Sequence, residues 1–178
     1  MSGPAATTTT ATPAGTTSDE RADLLQTLHA HRAFLRVTVR GLTDDQARQR
    51  TTASELCLGG LVKHVAATEA QWARFALHGA DAFSQDESRW ADGFALTPDE
   101  TLAQVLEEYD RVAALTDALV VDHPDLDVAH PLPEAPWFPP GASWSVRRVL
   151  LHVVAETAQH AGHADVLRES LDGQRTMG

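Results

Sequence analysis

The chain has 178 residues, 43% of them hydrophobic, which is enough for one domain with a packed core. A formal net charge of −11, with Lys63 the single lysine, excludes the clustered positive surface that a nucleic-acid partner requires. The lone Cys57 excludes an internal disulfide framework and a cysteine-rich zinc cluster, and no apolar run is long enough to cross a bilayer, so a cytoplasmic protein without membrane contact is expected.

Residues 1–18, MSGPAATTTTATPAGTTS, are poor in apolar side chains and lack the basic start and continuous apolar stretch of a secretory signal. Such a composition buries too little surface to offset its ordering entropy, and a disordered tail is predicted, followed by a single domain over 19–178. Ser18 before Asp19, Glu20 and Arg21 reads as a helix start, with the acids at the positive end of the dipole. Leu24, Leu28, His31 and Leu35 recur at helical spacing, which carries this first helix to about Arg40 before Gly41. Thr43 and Gln46 have the spacing of a capping box and predict a short helical turn before Arg50.

The second long helix is predicted from Leu58 to Leu77 or His78, with Leu58, Leu61, Val65, Thr68, Trp72 and Phe75 on one stripe and Gly79 as its stop. Gly59 and Gly60 weaken its first turn, at about 1 kcal/mol each relative to Ala, but permit close approach of another backbone. Residues 79–96 show no sustained period and read as loop. Thr97-Pro98-Asp99-Glu100 offers an N-cap, a proline at the first helical position and a capping-box partner, so a third helix is predicted from there to about Val121. A long irregular connection follows, carrying Trp137 and Phe138. Its prolines between Pro131 and Pro140 exclude regular helix and central strand. The fourth helix is predicted from Ser143 or Ser145 to Leu171, with Gly173 ending it. Four long helices without a strand pattern give an all-α fold, a four-helix bundle with a long proline-rich loop before the last helix.

The chemistry concentrates on that last helix. Val146, Val149, Leu150, Val153, Thr157, Ala164 and Leu167 share one side at 100° per residue, and His160 falls among them. Glu156 lies one turn earlier, about 40° to the flank, and His152 and His163 project close to it. An ionised carboxylate on a buried face costs several kcal/mol unless paired or ligated. A divalent cation held by Glu156, His160 and a third ligand from another helix resolves that cost. His64, at the edge of the second helix's stripe, is the candidate for the third. A His/Glu/His set suits zinc first, then nickel, iron or manganese, and leaves positions open for substrate. The plainer alternative is a polar core pair, Glu156 bonded to His160 or to an arginine of a neighbouring helix. The HExxH pattern is absent, which removes ordinary metalloprotease chemistry.

Three stretches resemble the DinB-like superfamily of four-helix metalloproteins, on the side of its actinobacterial branch: ERADLLQTLHAHRAFLRVTVRGLTDDQAR, LGGLVKHVAATEAQW and SWSVRRVLLHVVAETAQHAGHADVLRESLDG. The resemblance covers most of the chain after the tail. It implies metal ligation by a His of the second helix, here His64, and by two residues one turn apart on the last helix, here Glu156 and His160. Many members carry His at the first of those two positions; Glu there is similar to mycothiol-dependent maleylpyruvate isomerase-like members. Arg32 and Glu69 also fall on family-like positions and are expected to pair between helices.

The resemblance further implies thiol chemistry: transfer to, or isomerisation of, a small electrophile, with a low-molecular-weight thiol such as mycothiol as co-substrate. A metal-bound thiolate supplies a nucleophile without a protein cysteine. His163 and His152 are then candidates for orienting a ligand or moving a proton, and Trp137, Phe138 and Arg147 for contacting substrate. A metal-dependent small-molecule hydrolase and a non-catalytic metal- or ligand-binding stress protein are the alternatives. Pairing into a homodimer through exposed helix faces is compatible with this class. Cys57 and Trp72 are expected in the core.

Overall fold

The computed structural model describes residues 19–83 and 93–176, so the predicted tail and the middle of the 79–96 loop lie outside the described residues. Four long helices form the body: α1 (Glu20–Thr38), α3 (Leu58–His78), α4 (Leu102–Asp122) and α5 (Val146–Asp172), with a short α2 (Asp44–Arg48) between the first two. Helix α5 packs mainly on α1 and α3, and α3 also packs on α4. The expected all-α bundle is what the chain builds.

Local chemistry explains most boundaries. Asp19, not Ser18, caps α1, its side chain accepting from Arg21 N. The helix stops at Thr38, two residues early, because Val39 and Arg40 turn back onto Arg36 and Val37 before Gly41 at φ +73°. The Thr43–Gln46 capping box of α2 is formed as expected. Ser145 caps α5 by accepting from Arg148 N at 3.1 Å, and Gly173 closes that helix in the left-handed conformation.

Two expectations need correction. Helix α4 begins at Leu102, not at Pro98. Only half of the Thr97–Glu100 box forms: Glu100 accepts from Thr97 N at 2.9 Å and from Thr97 Oγ1 at 3.0 Å, while Glu100 N donates to Thr97 O, closing an isolated turn. A second box, Thr101 with Gln104, caps the helix itself, and Asp44 Oδ1 accepts from Leu102 N at 2.8 Å from across the fold. The proline-rich connection also contains strand, where none was expected: β1 (Ala129–Pro131) pairs antiparallel with β2 (Ser143–Ser145), His130 opposite Trp144. In a two-stranded ribbon both strands are edges, so Pro131 is tolerated.

Two arginines close helix ends. Arg168 donates to Thr38 O at 2.8 Å and Arg40 O at 3.0 Å, satisfying carbonyls left open where α1 stops. Arg21 does the same for α4 through Val120 O and His123 O.

The apolar interior falls into two clusters. One gathers Leu35, Leu58, Leu61, Val65, Tyr109, Ala164 and Leu167; the other gathers Leu28, Trp72, Phe75, Leu119, Val149 and Val153. Each fully buried side chain of this size contributes about 1.5–3 kcal/mol. On every long helix a polar residue is buried between the two clusters: Arg32 on α1, Glu69 on α3, Thr116 on α4, Thr157 and His160 on α5. The bundle thus has a polar waist. Arg32 spans it, pairing with Glu69 through two nitrogens and with Asp117 at 2.7 Å, the interhelical pair expected of Arg32 and Glu69.

Candidate metal centre

His64 leaves α3 toward α5, and Glu156 and His160 leave α5 one turn apart toward α3. One ligand-type atom from each of the three lies within 4.8 Å of the others. His160 Nε2 and Glu156 Oε2 are 3.5 Å apart. A tetrahedral ion with bonds near 2.1 Å spaces its donors by about 3.4 Å, so small side-chain rotations would close the set. The residues therefore fit a divalent cation in number, donor type and reach.

The electrostatics fit as well. Burial pushes the His64 pKa down to about 4, with His160 nearby adding to the effect. Burial also lowers His160, and His163 adds to that. Both imidazoles are neutral at pH 7 and keep a lone pair for ligation. Among the described residues the ion-pair partners of Glu156 are His160 at 3.5 Å and His152 Nε2 at 3.7 Å, both long for hydrogen bonds, and no arginine reaches it. Of the plainer alternative, the arginine-paired carboxylate is not what these described residues form, while the Glu156–His160 contact at 3.5 Å is present. A half-buried carboxylate beside two neutral imidazoles is a donor set that could hold a divalent cation.

Around the three, further groups are fixed. Thr68, one turn after His64, places its hydroxyl 3.5 Å from His64 Nε2. The Phe94 ring stacks on His64 with centroids 3.9 Å apart and planes at 22°. His163, largely exposed, sets its Nδ1 3.4 Å from His160 Nδ1. His152 meets Trp72 and Trp144 edge-on, at 4.8 and 5.0 Å. Burial lowers the His152 pKa, opposed by Glu156.

Not every candidate converges here. Phe138 joins the aromatic cluster, 5.7 Å from Trp144, but Trp137 is 70% exposed and, among the described residues, meets it through Phe138. Arg147 is held by Glu20 and Asp127 at the start of α5, about 13 Å along the helix axis from Glu156. Its neighbour Arg148 instead lies over Trp144 at 4.2 Å. A hollow of ≈ 490 Å³ within the proline-rich connection is lined by Leu132, Glu134, Phe138 and Gly141 and includes none of the three metal-ligand candidates. Cys57 is buried, as expected. Sequence reasoning missed Phe94. The glycine pair at 59–60 was its signal, since the backbone it admits is that of Phe94 and Ala95.

A family model described as mycothiol-S-transferase matches residues 23–173. No curated protein matches the chain. Among solved structures, the crystal structure of a conserved protein from Enterococcus faecalis is similar in fold at a TM-score of 0.59 and 18% identity, over 86% of this chain and 97% of that one.

Proposed function

The chain belongs to the mycothiol-S-transferase family, and we propose that it is a divalent-metal-dependent transferase joining a low-molecular-weight thiol, mycothiol first, to a small electrophile. The observation that carries this reading is the convergence of His64, Glu156 and His160 within 4.8 Å, two neutral imidazoles around a carboxylate that lacks an arginine partner among the described residues. A bound zinc ion, or nickel, iron or manganese, supplies a thiolate at neutral pH from a thiol that would otherwise be protonated.

The protein's own groups then have distinct tasks. His64 and His160 would hold the ion through ring nitrogens and Glu156 through its carboxylate. With Nε2 of His160 turned to Glu156, His163 beside Nδ1 holds the other nitrogen and so the tautomer. The 3.7 Å separation of His152 Nε2 from Glu156 Oε1 supports a role for His152 as the group that would take the proton the thiol releases. Trp144, Phe138 and the edge of Trp72 supply an apolar wall beside it, suited to an uncharged carbon electrophile.

The test is turnover by zinc-loaded protein given mycothiol and a panel of alkylating or epoxide electrophiles. The expected result is loss of free thiol in step with the electrophile, abolished by chelator and restored by zinc. Equal turnover without any thiol would instead make the protein a metal-dependent hydrolase, with water as the nucleophile.

A further inference from the structure

We infer that residues 93–100 form a fixed strap across the first turns of α3, and that Phe94 on this strap is a positioning residue that holds the His64 ring in its cation-binding orientation. The inference rests on the proposed metal site and concerns how that site is held.

The strap is located by its backbone, independently of the Phe94 side chain. A Cβ on Gly60 would fall far inside contact distance of the Phe94 carbonyl and 2.8 Å from Ala95 N, and one on Gly59 would sit 2.8 Å from Leu96 Cδ2. At Gly60, where the near atoms are backbone, only glycine admits so close an approach of another chain segment. Two cations then tie the strap down. Lys63, the residue before His64, donates to Ala95 O at 3.4 Å and pairs with Glu100 at 2.7 Å. Arg48 of α2 donates to Thr97 O at 3.3 Å and to Glu100 O. Leu96 is buried between these ties.

So anchored, the strap lays the Phe94 ring flat on His64, while His160 meets the same imidazole edge-on at 4.8 Å and 73°. A ring stacked on one face and bounded at its edge loses rotation about its side-chain bonds before any ion arrives, so less freedom is lost on binding. The stack also closes that face of the imidazole to water. Aromatic pairing of this kind corresponds to roughly a three- to tenfold difference in affinity.

Cobalt(II) is a suitable probe, because its visible d–d bands report ligand geometry while competition with a chelator gives affinity. Phe94→Leu is expected to bind Co2+ about three- to tenfold more weakly, with altered d–d bands, and Phe94→Tyr to restore both. Gly60→Ala keeps the phenyl ring but displaces the backbone that carries it, and is expected to change the bands as Phe94→Leu does. Melting of each metal-free variant shows whether it is folded. Folded Phe94→Leu or Gly60→Ala with wild-type affinity and bands would overturn the positioning role alone. A wild-type protein that binds no Co2+ would overturn the metal reading and this inference together.

Discussion

His64 is half-buried and neutral, and this gives the metal-free protein a pH dependence whose sign is fixed. Its pKa lies near 4 in the folded chain against about 6.5 when unfolded. Between those values the unfolded chain binds the extra proton, so folding stability is fully present above pH 6.5 and is lost as pH falls toward 4. His160 and His152 are lowered too and act in the same direction. Glu100, lowered by Lys63 and Thr97 against an opposing burial effect, adds a further loss below its usual 4.5. Thermal melting of the chelator-stripped protein should therefore show a midpoint that drops steadily from pH 7 to pH 4, with a shallower slope in His64→Gln. A flat profile over that range would contradict a neutral, half-buried His64. At this scale the sequence is informative where a polar residue interrupts an apolar stripe: His160 among Val153, Thr157 and Ala164 is visible to periodicity alone, and His64 at a stripe edge nearly so. Phe94 is not, because its contact joins an aperiodic segment to a helix and no spacing rule encodes that distance.

Among the elements, α1 and α3 are joined at the waist by Arg32 and Glu69, with side chains 5% and 1% exposed. Removing one partner leaves the other charged and buried, which costs about 3–5 kcal/mol, whereas replacing both by apolar residues of similar volume is often neutral. Urea unfolding should thus find Arg32→Met destabilised by about 3–5 kcal/mol, and Arg32→Met/Glu69→Leu recovering most of that loss. A single variant as stable as wild type would mean the pair is not desolvated as described. Helix existence is readable throughout from period and caps, and Gly79 and Gly173 mark their stops well. The start of α4 is not, because two threonine boxes lie four residues apart and each is locally sound. Asp44 on α2 caps Leu102 and so favours the second, a tertiary contact that neither box reveals. The β1–β2 ribbon is hidden for a similar reason: its three-residue strands are too short for alternation, and one contains Pro131.

For the whole molecule, a polar layer between two apolar clusters raises the question of what stabilises the waist on the α3–α5 side. Arg32 serves the α1–α3 side; the cation proposed between His64, Glu156 and His160 serves the other. If the ion binds only the folded chain, its contribution follows mass action and reaches about 4 kcal/mol at a thousandfold excess over its dissociation constant. For a chain of this size that corresponds to a fall of roughly 8–16 °C in melting midpoint when the metal is stripped, measurable by calorimetry with and without chelator. An unchanged midpoint after metal is demonstrably removed would show that the ion does not support the fold. The most direct measurement of a His64–Glu156–His160 metal centre is metal content by elemental analysis of the purified protein and of its His64→Ala, Glu156→Ala and His160→Ala variants, each reloaded under identical conditions. One divalent ion per wild-type chain and near-zero content in all three variants is the expected result; variants that retain a full equivalent while folded would contradict it.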